Sequence, residues 1–232
     1  MHPLMPDELT FWSPRDGSLA AQHGLAELLP ASWRERATEL SAASVSYSLG
    51  LSHPGAVTLH NYPAFLRDLH RAPAEPGEPG EHIDLAATDV LRDRERGVPR
   101  YNELRRLLHR PPVRGFDEVT PDPELAEELR RIYDGDVELI DLMVGLLAET
   151  PPEGFTFSDT AFRVFIVMAS RRLKNERFMT DDDTTETYSD AGMAWINNTT
   201  FKTVLLRHYP ALAPALEGID NPFQPWRPVI RA

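Results

Sequence analysis

The segment from Asp84 to His109 constrains this chain more than any other. It reads Asp-Leu-Ala-Ala-Thr-Asp-Val-Leu, then the charged run Arg92-Asp93-Arg94-Glu95-Arg96, then Gly97-Val98-Pro99-Arg100, then Tyr101 through His109. Leu85, Val90 and Leu91 belong to one short apolar element, and Gly97 with Pro99 forces a break after the charges. A second helix follows. Its Tyr101, Leu104 and Leu108 recur at three- and four-residue steps on one face, with Asn102 and Arg105 a turn apart on the neighbouring face. Periodicity alone also accommodates an ordinary amphipathic helix with solvated arginines. A fold that buries this helix, however, must occupy both polar side chains, because an unpaired buried amide or guanidinium is expensive.

Composition narrows the classes. The chain has 232 residues, enough for one domain with a real core or two small ones. Apolar residues make up 41% and charged residues 26%, a globular balance. A formal net charge of −12 repels phosphate backbones, so nucleic acid is not an expected partner. With no cysteine, disulfides, thiolate metal sites and cysteine nucleophiles are excluded together. No stretch reaches the apolar length of a membrane span, and the N-terminus lacks a charged-then-apolar leader pattern. The expected location is therefore cytoplasmic or at a membrane periphery. Among the eight histidines no two are three or four apart, which removes HExxH and any two-histidine site on one helix. G-x-S-x-G, the P-loop and G-x-G-x-x-G are also missing, so familiar hydrolase and nucleotide chemistry has no support.

Along the chain, Phe11, Trp12 and Pro14 read as an irregular connection. A helical run is predicted from about Pro30, carrying Trp33, Ala37, Leu40 and Ala43 or Ser44 on one face and ending at Tyr47 to Gly50. His53 to Ala56 is a turn, and His53 and His60 have no assigned role. Residues 71–81 hold three prolines and two glycines and read as a surface loop, unable to form a helix or a paired strand. Pro111 and Pro112 stop the Tyr101 helix. Asp122 reads as an N-cap with Pro123 at the first helical position, Leu125, Leu129 and Ile132 as the core face, and Gly135 as the stop. Residues 137–148 form a buried apolar helix closed by Pro151 and Pro152. Ser158 caps the longest helix, about 159–177, whose last turns carry Arg171, Arg172, Lys174 and Arg177. Such cations complement the helix dipole, each contributing roughly 0.3–1 kcal/mol. Asp181 to Asp183 form a solvated loop without EF-hand spacing. Thr200 caps a last helix through His208, and the tail from Asn221 is extended. No repeat or boundary is evident, so residues 1–232 are read as one domain.

Several of these segments match a known family. DLAATDVLRDRERGVPRYNELRRLL resembles the most recognisable segment of the animal-type haem peroxidases, the peroxidase-cyclooxygenase superfamily, and in its RDRER, RYNE and RR elements it is closest to the fatty-acid α-dioxygenases. MHPLMPDEL resembles that family's Tyr-Arg-Met-His-x-Leu-x-Pro-Asp segment. VSYSLGLSHPGAVTLHNYPAFLRDL ends in its NYP and RDL pattern, and FIVMASRRLKNERFMT resembles its MASRRLEADRFFT helix.

The resemblance implies an all-α fold, the C-terminal part of the helical animal haem peroxidase fold with long irregular connections. It implies haem b as cofactor, held by a single axial histidine that leaves almost no spacing signature. His2 takes the proximal iron ligand's position. Asn102 takes that of the acceptor for the ligand's ring N–H, Arg105 that of a haem-propionate partner, and Arg172 that of the group binding a fatty-acid carboxylate. The implied reaction is α-hydroperoxidation, in which a tyrosyl radical removes hydrogen beside the carboxylate and molecular oxygen adds there, with peroxide as the oxidant of a plain peroxidase. The radical tyrosine's position falls just before Met1, and the distal histidine in an N-terminal half outside this sequence, so no catalytic residue is assigned. The alternative is a catalytically inactive helical module, derived from a haem peroxidase, that binds lipid or a protein partner.

Overall fold

The structure, a computed structural model, describes residues 2–28, 40–71 and 80–229. In chain order its helices are α1 (Ala42–Leu51), α2 (Leu85–Glu95), α3 (Tyr101–Leu107), α4 (Pro123–Ile132), α5 (Leu142–Ala148), α6 (Asp159–Lys174), α7 (Thr185–Asn197) and α8 (Phe201–His208). Two antiparallel hairpins accompany them, β1 (Glu8–Trp12) with β2 (Leu19–Gly24), and β3 (Leu69–Arg71) with β4 (Glu81–Ile83). The predominantly helical class agrees with the expectation. No helix among the described residues is long and apolar enough to cross a membrane. The chain divides into two compact units, one made of Met1–Met5 and Gly55–Asn175, the other of Pro6–Pro54 and Glu176–Ala232.

In the first unit the helix starts follow local chemistry. The Asp84 side chain accepts the Ala87 N–H at the start of α2, Asp122 accepts those of Glu124 and Leu125 at the start of α4, and Ser158 accepts that of Ala161 at the start of α6. Gly97, at φ +67°, turns the chain between α2 and α3. The core gathers Tyr101, Val113, Phe116, Val119, Leu129 and Ile140.

Three expectations shift here. On α4 the inward face is Ala126, Leu129 and Tyr133, while Ile132 is 59% exposed. The stripe rotates by one residue because the Tyr133 hydroxyl reaches inward to Asp141. The single helix expected over 137–148 is a 3₁₀ turn, Val137–Leu139, and then α5, parted at Ile140 and Asp141. The ends of the proline-rich loop do pair: Leu69 faces Ile83, His70 faces His82 and Arg71 faces Glu81. Residues 72–79 between them lie outside the described residues.

In the second unit, β1 and β2 form a hairpin where an irregular connection was expected. Its Trp12 N–H donates to Ser48 Oγ on α1 at 2.7 Å. Helix α1 is capped by Ser41 and runs through Leu51, past the stop expected at Tyr47 to Gly50. The earlier part of that predicted helix, from Pro30, lies outside the described residues. Helix α7, kinked at Ser189, has no counterpart in the sequence reading. Thr200 caps α8 reciprocally with Thr203, as its position predicts. Tyr47, Leu205, Leu212, Leu216 and Trp226 make this unit's core. The tail is anchored to it, because Trp226 is buried and the Val229 N–H donates to the Tyr47 hydroxyl at 2.6 Å.

Candidate functional site

His2 opens a 3₁₀ turn, His2–Leu4, that the segment from Gly55 to Tyr62 holds in place. The Gly55 N–H donates to the Leu4 carbonyl at 3.2 Å, and the Asn61 amide donates to the carbonyls of Pro3 at 3.3 Å and Ala56 at 2.7 Å. A side chain at Gly55 would overlap the Pro3 carbonyl, so the close approach requires glycine. Tyr62 follows directly, and its hydroxyl lies 2.7 Å from His2 Nδ1. The same hydroxyl donates to Asp89 Oδ2 of α2 at 3.3 Å, while Nδ1 lies 3.4 Å from that oxygen. His2 Nε2 has no hydrogen bond among the described residues. Burial first, and then the charge of Asp89, pushes the Tyr62 phenol above its ordinary range. Beside this cluster runs an apolar groove of ≈ 270 Å³ lined by Tyr62, Ala86, Val90, Met143, Val144 and Leu147 among others.

Asn102 and Arg105 face the interior, as a buried polar pair must if it is occupied. Here the expected apolar face of α3 is corrected: Tyr101, Asn102 and Arg105 are its buried residues, while Leu104 and Leu108 are half-buried. The Asn102 carbonyl oxygen accepts the Val113 N–H at 2.9 Å, and its amide donates to the Val113 carbonyl at 2.9 Å and to Glu138 at 3.0 Å. The predicted bond between Asn102 and His2 is therefore not made. Val113 and Glu138 occupy the amide, and Tyr62 and Asp89 occupy the imidazole.

Arg105 is likewise engaged from within. Its Nε donates to the Pro111 carbonyl at 2.9 Å, and its Nη1 to the Tyr101 hydroxyl at 3.1 Å, Thr160 Oγ1 at 3.0 Å and Glu149 at 3.4 Å. Nη2 has no hydrogen bond among the described residues, so one edge of the guanidinium remains to meet another carboxylate. Burial and the bond to Glu149 push the Tyr101 phenol well above its usual value.

The arginines of the charged run serve a carboxylate that sequence reasoning missed. Asp141 is buried, and Arg94 grips it with two bonds, Nε to Oδ1 at 2.9 Å and Nη2 to Oδ2 at 2.6 Å. Arg100 pairs with the same carboxylate, and the Tyr133 hydroxyl donates to it at 3.1 Å. Burial works against the charge on Asp141, but the bonds from Arg94 and Tyr133 and the field of Arg100 outweigh it and hold the carboxyl below its usual range. Burial likewise pushes the Tyr133 phenol up to about 12.

Arg172 stands apart. It lies in the last turn of α6, exposed, with no hydrogen bond or ion pair among the described residues. Phe165 and Met168, 53% and 60% exposed, precede it by seven and four residues and so share its face. A cation thus ends an apolar stripe. The structure brings none of His2, Asn102, Arg105 and Arg172 into hydrogen-bond contact with another of the four.

In sequence and in shape the chain is similar to known proteins. The family model described as Animal haem peroxidase matches residues 1–217. Alpha-dioxygenase 1 of Arabidopsis thaliana is 38% identical over 236 residues, which covers 97% of this chain and 37% of that protein. Alpha-dioxygenase PIOX of Oryza sativa subsp. japonica is 38% identical over 235 residues, covering 97% and 38%. The crystal structure of fatty acid alpha-dioxygenase from Arabidopsis thaliana superposes with a TM-score of 0.86 at 38% identity over 97% of this chain and 37% of that one. Peroxidase A from Dictyostelium discoideum gives 0.71 at 25% identity, over 89% and 38%. The chain spans a little over a third of the length of these relatives. With the match running from the first residue to 217 and the helical architecture shared with it, this chain belongs to the animal haem peroxidase family.

Proposed function

We propose that this chain is the proximal, haem-ligating portion of a fatty-acid α-dioxygenase. His2 carries the reading. Its Nδ1 is held by neighbours in the fold and its Nε2 has no partner among the described residues, which is the state an imidazole needs to ligate iron. In this reading the iron would be held by one imidazole and by the macrocycle around it. The donor set fits that arrangement. Haem b, when bound, supplies one-electron oxidation. His2 Nε2 would hold the iron and the Nη2 edge of Arg105 would meet a propionate, while Asn102 secures the helix that carries Arg105. Arg172 receives the fatty-acid carboxylate, and the apolar face through Met168 and Phe165 receives the first carbons of the tail. Oxygen is the co-substrate.

Haem titration tests this reading. Hemin added to the purified chain should give a Soret band that shifts and weakens in His2→Ala. With haem bound, Arg172→Ala should lower fatty-acid-dependent oxygen uptake at least tenfold while oxidation of a small phenol persists. A second reading has an observation of its own: the five consecutive side chains Val164 to Met168 are all exposed, an apolar surface that runs around α6. A catalytically inactive module that binds lipid or protein through that surface would leave the Soret band of added hemin as it is in free hemin.

A further inference from the structure

We propose that Tyr62 and Asp89 fix the tautomer of His2, as positioning residues that hand its Nδ1 proton toward a carboxylate and leave the Nε2 lone pair outward. This rests on the haem reading for its purpose, but its physical content belongs to the chain alone. Tyr62 has one proton and sits within hydrogen-bond distance of two groups, His2 Nδ1 at 2.7 Å and Asp89 Oδ2 at 3.3 Å. A carboxylate accepts and does not donate. The phenolic proton therefore points to Asp89, and the phenolic oxygen accepts from His2 Nδ1–H. Asp89 Oδ2, 3.4 Å from Nδ1, adds its charge on the same side.

The opposite arrangement, with Tyr62 donating to a bare Nδ1, leaves Asp89 without the phenolic proton and sets its charge against the Nδ1 lone pair. The geometry also explains why the match to the family's asparagine does not carry over as a contact, since Asn102 is spent on Val113 and Glu138. Helix α2 brings Asp89 and the latched Gly55–Tyr62 segment brings the phenol, so two separate elements of the first unit converge on one ring nitrogen.

The test reads the ring itself. Long-range proton–nitrogen correlation spectra of the ¹⁵N-labelled full chain without haem report which nitrogen of each histidine carries the proton, and His2→Ala assigns the His2 signals. Wild type should show His2 as the Nδ1–H form. Tyr62→Phe should lower the ratio of Nδ1–H to Nε2–H roughly fivefold to tenfold, the range set by one hydrogen bond. Asp89→Ala should move it the same way by less. Unchanged signals from the other histidines show that the variants remain folded. An Nε2–H form in wild type, or a ratio unchanged in both variants, overturns the proposal. If the ratio responds as expected but the Soret band of added hemin does not shift, the haem reading fails and the tautomer proposal stands. If hemin binds through His2 and neither variant changes the tautomer, the tautomer proposal alone fails.

Discussion

Arg105 and Arg172 are the same side chain in the same compact unit, and the structure treats them oppositely. Arg105 is buried and bonded to the Pro111 carbonyl, Tyr101, Glu149 and Thr160. Its contact with Thr160 pins the first turn of α6. Arg172 sits in the last turn of that helix, about 18 Å further along by helical rise, exposed and without a partner among the described residues. One guanidinium is held from within through its Nε and Nη1, and the other has no partner among the described residues. The difference comes from what surrounds each: Arg105 meets groups brought from 44 and 55 residues away, whereas Arg172 ends a face of exposed apolar side chains.

That contrast can be broken most easily at its buried end. Arg105→Ala leaves half-buried Glu149 without its cation and Thr160 without its donor, and urea unfolding should show a loss of about 3 kcal/mol. Asn102→Ala strips both backbone groups of Val113 of their partner and should cost about 1–3 kcal/mol by the same measurement. Acid sharpens the point. The folded carboxyl of Asp141 lies below its ordinary 3.8, so its contribution is fully present above about pH 4 and is lost as pH falls through the folded value. Thermal unfolding between pH 5 and pH 2 should show that loss, and Asp141→Asn should flatten it. Arg172→Ala should change stability by less than about 0.5 kcal/mol, while weakening fatty-acid binding measured by calorimetry. If it destabilises the fold as Arg105→Ala does, the distinction drawn between the two arginines is wrong.

Features closed within one turn of chain were legible in the sequence. Asp122 with Pro123, Ser158 and Thr200 each cap the helix that their position announces, because a capping bond spans only two or three residues. Burial direction was harder to read. Ile132 looked like core and is exposed, since a hydroxyl on Tyr133 competes for the inward side and wins by bonding Asp141. The hairpin of β1 and β2 escaped notice because it is anchored 36 residues away, at Ser48. Asp141 escaped for the same reason, with its arginines 47 and 41 residues distant. Family likeness nominated His2, Asn102, Arg105 and Arg172 and implied a bond between Asn102 and His2, whereas the fold gives Asn102 to Val113 and Glu138. The partner of His2 lies 60 residues away in a loop whose placement depends on Gly55 and Asn61.

The account stands or falls on His2. Titrating hemin into wild-type chain and into His2→Ala, with the Soret band followed by absorption, puts the question directly. The account predicts a saturable Soret band in wild type that is shifted and weakened in the variant. Identical bands in the two proteins, or a wild-type band no different from that of free hemin, would contradict it.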